Sequence, residues 1–177
     1  MPLLTALLLL LPAAQLPGGD WPVDRREDGP WTWSFFGQAV AGADDLDGDG
    51  VADYLIGCPD DSAAGTNAMG LVYARSGATG AAIHTLQPSL QPSDRFGWSV
   101  GAVGDLDGDG TGDFLVGSPW HTAGSNYGAG AVYVYSGAGG ALIRRHDGTR
   151  WSGGLGEAVR AVGDLDGDGV EDYLGTE

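Results

Sequence analysis

Beyond residue 17 the apolar residues arrive in short bursts and not as a helical stripe. Tyr54-Leu-Ile56, Leu71-Val-Tyr73, Phe114-Leu-Val116 and Val132-Tyr-Val-Tyr135 are each fenced by Gly, Ser, Asp or Arg. Bursts of β-branched and aromatic residues between Gly and Ser-Gly turns predict strands. The continuous runs Tyr54–Ile56 and Phe114–Val116 predict strands covered on both faces. No segment after residue 17 holds a helical period over three turns without a Gly. The expected class is all-β.

The bursts recur. Asp45-Leu-Asp-Gly-Asp-Gly-Val-Ala-Asp53 returns as Asp105-Leu-Asp-Gly-Asp-Gly-Thr-Gly-Asp113 and Asp164-Leu-Asp-Gly-Asp-Gly-Val-Glu-Asp172, with starts 60 and 59 residues apart. The register extends outside these loops. Phe36-Gly37, Phe96-Gly97 and Leu155-Gly156 each precede a loop by nine residues. Gly57-Cys-Pro59 and Gly117-Ser-Pro119 follow the first two, and Gly70–Gly77 matches Gly130–Gly137. A fixed period of this size marks one supersecondary unit used repeatedly. Each unit reads as four short strands, the fourth over Ala81–Leu86 or Ala141–Arg145, with the acidic loop between the first and second. Four-stranded units packed face to face are propeller blades; a β-sandwich or solenoid of the same hairpins is the alternative.

The N-terminus has a different character. Leu3–Leu11 is an apolar run of nine, followed by Ala13 and Ala14. A bilayer span needs roughly 20 residues, so residues 1–17 read as a secretory signal lacking its positive end. The alternative is a mis-assigned start or a buried apolar arm. Residues 18–30 then form a linker, and the units occupy about 31–90, 91–149 and 150–177, the last truncated inside its second strand. Closed propellers need roughly four to eight blades. A fragment of a longer protein, or chains that associate, is therefore expected.

Composition narrows the partners. The 177 residues carry 24 acidic and 8 basic side chains, a formal charge of −16, with 33 Gly. Such acidity argues against nucleic acid and against an anionic membrane surface; it favours cations. An apolar share of 42% is too high for a disordered acidic tail. The single cysteine, Cys58, excludes an intramolecular disulfide and reads as a small buried hydrophobe.

Twelve of the 24 acidic residues are the aspartates repeated in these loops. Hard divalent cations take six to eight oxygen ligands. Aspartates at loop positions 1, 3, 5 and 9, a carbonyl at 7 and a turn-permitting Gly at 6 supply them. The predicted ligand sets are Asp45, Asp47, Asp49, Val51 and Asp53; Asp105, Asp107, Asp109, Thr111 and Asp113; Asp164, Asp166, Asp168, Val170 and Asp172. Up to three Ca²⁺ are expected, moving the formal charge from −16 to −10. An EF-hand would need a Glu at position 12, where Ile56, Val116 and Gly175 stand, and flanking helices. An RTX roll would need a nine-residue Gly-rich period, which is absent. Mg²⁺ suits the loop less well, because it demands octahedral geometry and keeps its waters. The third site is expected to be the weakest.

Phe-Gly, an Asp-rich loop and then Gly-x-Pro, at kept spacing over residues 31–177, resembles the FG-GAP repeat of integrin alpha-subunit propellers and related secreted bacterial proteins. The resemblance implies that each unit is a blade. It also implies a secreted or cell-surface module that presents loops from one face to protein or carbohydrate ligands, without catalysis. The alternatives are an accessory region of a secreted hydrolase or lyase, and a surface or matrix protein that self-associates through open blade edges.

The remaining candidates are weaker. No Gly-x-Ser-x-Gly or phosphate-binding glycine motif occurs. His84 reads as a half-buried packing residue, His121 as a loop residue and His146 as part of a turn. Trp98 and Trp120, with His121, Asn126 and Tyr127 in the loop between the second and third strands, are the recognition candidates. Trp31 and Trp33, ahead of the first Phe-Gly, read as the last strand of an incomplete unit.

Overall fold

The computed structural model describes residues 5–6, 26–29, 34–61, 69–87 and 93–177. Two strand residues, β1 (Thr5–Ala6), pair antiparallel with β2 (Glu27–Asp28). The rest of the apolar N-terminal run, Trp31 and Trp33 lie outside the described residues.

The first unit is a four-stranded antiparallel sheet of β3 (Ala39–Gly42), β4 (Tyr54–Cys58), β5 (Leu71–Arg75) and β6 (Ala82–Leu86), paired in chain order. The second repeats it with β7 (Ser99–Val103), β8 (Asp113–Ser118), β9 (Ala131–Tyr135) and β10 (Leu142–Asp147). The third contributes β11 (Val159–Gly163) and β12 (Asp172–Gly175), a two-stranded sheet. The molecule is all-β, its sheets stacked as an open, partial propeller. One expectation shifts: the fourth strand of the second unit runs to Asp147, so His146 belongs to that strand and not to a turn.

Stacking follows the pleat. Along β4, Leu55 points one way, with Val72 and Ala74 of β5, into a core shared with Phe96, Phe114, Val116, Tyr133 and Tyr135 of the second unit. Tyr54, Ile56 and Cys58 point the other way and join Phe36 and Leu71. The second unit does the same: Leu115, Val132 and Val134 turn toward Val159, Leu155 and Tyr173 of the third. Central strands sandwiched between sheets are therefore buried throughout, as β4, β8 and β9 are. Phe96 meets Tyr133 edge-on at 5.3 Å between ring centres, a geometry that adds to its burial.

The repeated glycines mark where units touch. A Cβ on Gly57 would lie 2.0 Å from the Gly97 carbonyl oxygen, and one on Gly117 would lie 2.1 Å from that of Gly156. The Gly of each Gly-x-Pro thus admits the Phe-Gly (or Leu-Gly) turn of the next unit at backbone distance. Both halves of the sequence signature serve one inter-sheet contact.

Cys58 is fully buried. Burial pushes its thiol well above the usual range, and the neighbouring Asp61 carboxylate adds to the effect.

Candidate metal centres

Each acidic loop joins the first and second strands of its unit, and its backbone is folded by its own aspartates. Asp45 accepts the N–H groups of Gly48 (2.8 Å), Asp49 (3.0 Å) and Gly50 (2.7 Å). Asp105 does the same for Gly108, Asp109 and Gly110, and Asp164 for Gly167, Asp168 and Gly169. Such side chain-to-backbone bonds fix turns that no ladder could satisfy. The loop glycines at positions 4 and 6 have positive φ, for example 79° at Gly48 and 87° at Gly50, where a side chain would strain the backbone.

The last aspartate closes the loop. Asp53 accepts the N–H of Leu46 at 2.7 Å and, with its other oxygen, that of Gly77 at 2.8 Å. Asp113 repeats this with Leu106 (2.7 Å) and Gly137 (3.0 Å). Gly77 and Gly137 lie in the turn between the third and fourth strands, so this carboxylate ties two loops of one sheet together. Asp53 and Asp113 are buried. Asp172 accepts the N–H of Leu165 at 2.8 Å but is only half-buried.

The result is three carboxylate triads: Asp45, Asp47 and Asp53; Asp105, Asp107 and Asp113; Asp164, Asp166 and Asp172. Within each, one oxygen from every residue lies within 4.8 Å of the others. Asp49, Asp109 and Asp168 stand outside these triads. Their Oδ1 atoms accept the N–H groups of Val51, Thr111 and Val170, two residues on, and Asp109 also accepts the Ser136 hydroxyl at 3.1 Å. For Val51, Thr111 and Val170 it is thus the N–H that is engaged, by the position-5 aspartate.

The charges are unevenly supported. The backbone N–H of Gly110, helped by those of Gly108, Asp109 and Asp107, holds the Asp105 carboxyl below the usual range. Burial pushes Asp113 up; the Leu106 and Gly137 N–H groups oppose this, and the negative charges of Asp107 and Asp105 reinforce it. Three like charges at this separation repel by on the order of 1 kcal/mol per pair even in water. The donor set is oxygen alone, which suits Ca²⁺ or Mg²⁺ and not a soft metal.

The turn residues Ser76-Gly77 and Ser136-Gly137 also belong to the site, and their recurrence at an offset of 60 is the signal the sequence holds for them. The histidines go elsewhere. His84 Nε2 lies 2.8 Å from the Gly137 carbonyl oxygen of the next unit. His146 Nε2 lies 2.7 Å from the Tyr173 hydroxyl. His121, expected in a recognition loop, is buried, with Nδ1 2.9 Å from Asp94; it anchors that loop and does not display itself. Trp120 and Tyr127 are exposed.

Known proteins match in the same region. Residues 96–135 fit the FG-GAP repeat family. The chain is 34% identical over 150 residues to integrin alpha-4 of Xenopus laevis, covering 78% of this chain and 14% of that protein. It is 36% identical over 135 residues to integrin alpha-3 of Mus musculus, covering 74% and 12%. Integrin alpha-PS2 of Drosophila melanogaster matches at 35% over 113 residues, covering 59% and 8%. The chain thus spans only a small part of the length of these relatives. Repeat period, acidic loops and inter-sheet glycines agree with these matches: the chain carries FG-GAP repeats and is integrin alpha-like.

Proposed function

We propose that each triad binds one Ca²⁺, and that the chain is an extracellular, non-enzymatic module for adhesion or ligand binding. The three oxygen-only triads carry this reading. In each, the carboxylates are already positioned by backbone N–H groups, so little ordering remains for the ion to impose. Similarity to integrin alpha subunits supports the extracellular setting, where calcium is abundant. Among the described residues no helix is long and apolar enough to cross a membrane. The relatives reported are animal integrins, so a secreted bacterial form rests on the repeat pattern alone. Partners remain a protein or carbohydrate ligand, with nucleic acid disfavoured by the charge of −16.

Calcium binds the folded loop and not the open chain, so it stabilises by mass action. At millimolar calcium and a dissociation constant near 10⁻⁴ M, each site adds roughly 1–2 kcal/mol. Melting temperature measured in chelator and in 2 mM calcium checks this: a rise of at least about 5 °C is expected. An unchanged melting temperature would refute the assignment.

A second reading, self-association, has its own observation. Leu165 (71% exposed), Leu174 (58%) and Val170 (42%) leave the outer side of the third unit apolar and open. Size-exclusion chromatography with and without calcium separates a monomer from an assembly.

A further inference from the structure

The strands alternate in direction, so the ends of the sheets have different character. The acidic loops and the turns that close them lie at one end. The connections 119–130 and 148–158 lie at the other. These two connections are tied by backbone: the Ser152 N–H donates to the Tyr127 carbonyl at 2.9 Å, Gly154 to Gly128 at 3.0 Å and Leu155 to Ala129 at 3.0 Å. Between them is a groove of about 270 Å³ whose lining includes Trp120, Tyr127, Ser152 and Glu157. Trp120 and Tyr127 are 44% and 54% exposed.

Two large aromatic rings, each partly exposed at one groove on a hydrogen-bonded frame, form a contact surface that a ligand can cover. The Trp120 ring is also held. The Arg95 guanidinium sits 4.0 Å from its centre and 5.2 Å from the centre of the Trp98 ring. The Asp60 carboxylate lies 3.4 Å from Arg95 Nε and fixes the stack. A ring fixed in this way loses little rotamer freedom when a ligand binds.

The same stack decides the ligand class. A ring face attracts cations through its quadrupole, and the Glu157 carboxylate would favour one too. Yet a cation on the free face of Trp120 would share that ring with Arg95 and repel it across the ring. A neutral molecule avoids this repulsion. The polar groups in the groove are a serine hydroxyl, a phenol and a carboxylate, which exchange hydrogen bonds with hydroxyl groups. We infer that the groove between the 119–130 and 148–158 connections binds a neutral oligosaccharide, one sugar ring lying on Trp120 with its hydroxyls toward Ser152, Tyr127 and Glu157. This specifies the ligand-binding half of the function proposed above and rests on it, but not on the metal.

The test titrates the protein in 2 mM calcium with maltotriose, cellotriose, mannotriose and triacetylchitotriose to 20 mM, following tryptophan fluorescence. Tetramethylammonium serves as the cationic probe. A saturable change with at least one trisaccharide is expected. It should weaken about tenfold in Trp120→Ala, the loss of the stacking contact, and in Tyr127→Ala, the loss of a phenol hydrogen bond, with tetramethylammonium inert. The proposal is overturned if no trisaccharide gives a saturable change, if both variants respond as the parent does, or if only tetramethylammonium binds. Melting of the same samples with and without calcium keeps the readings apart. A calcium-dependent melt without a sugar response removes this inference alone; a sugar response without a calcium effect removes only the metal assignment.

Discussion

The first and third acidic loops have nearly the same sequence and very different surroundings. Leu46, at position 2 of the first loop, is 6% exposed and packs into the core that contains Phe114 and Tyr135 of the next unit. Leu165, its equivalent in the third loop, is 71% exposed. Asp53 is buried and bonded to the Gly77 turn, whereas Asp172 is half-buried, with its Oδ2 on the N–H of Leu165. Yet the position-1 aspartate accepts three N–H groups in both loops, and both triads form. Loop shape is thus a local property, encoded within nine residues. Loop burial is a property of the stack: the turn of the same sheet closes the loop and the next sheet covers it. The complete units should therefore respond to substitution where the third does not.

The largest contrast is expected at the paired leucines. Leu46→Ala leaves a cavity between two sheets and should cost about 2–4 kcal/mol, while Leu165→Ala should stay within about 0.5 kcal/mol. Urea unfolding in 2 mM calcium measures both; equal effects would break the comparison. Next comes the inter-sheet glycine. Gly117→Ala places a methyl carbon 2.1 Å from the Gly156 carbonyl oxygen, which backbone must move to relieve. A loss of roughly 1–3 kcal/mol is expected. Gly163→Ala, where nothing lies within 4 Å, suffers only from its positive φ, and thermal melting should show the smaller loss. The smallest effect belongs to the turn serine. Ser136 donates to Asp109 at 3.1 Å and accepts the Gly139 N–H at 3.2 Å, so Ser136→Ala should cost about 1 kcal/mol. It should also weaken calcium binding at the second loop and leave the third unaffected, which calcium titration of the variant would reveal.

Much of this was legible from residue patterns. The Asp spacing announced the loops, the short apolar bursts announced the strands, and the 60-residue offset announced the stacking. What stayed hidden depended on contacts between segments far apart in the chain. The role of Ser136 and Gly137 appears only once β9 and β8 pair and bring that turn to Asp113. His121 reads as a loop residue because it follows Pro119 in the connection between strands, and its burial on Asp94 requires a partner 27 residues earlier. Position-5 aspartates look equivalent to the others in sequence, and only the folded loop shows Asp45, Asp47 and Asp53 converging while Asp49 stands outside their triad.

The most direct test of the metal assignment is isothermal titration of the protein with calcium, started from chelator-stripped material. The three triads predict a stoichiometry approaching three, with the exposed third loop binding most weakly. A titration with no heat beyond dilution, and no bound calcium after equilibrium dialysis at 2 mM, would contradict the account.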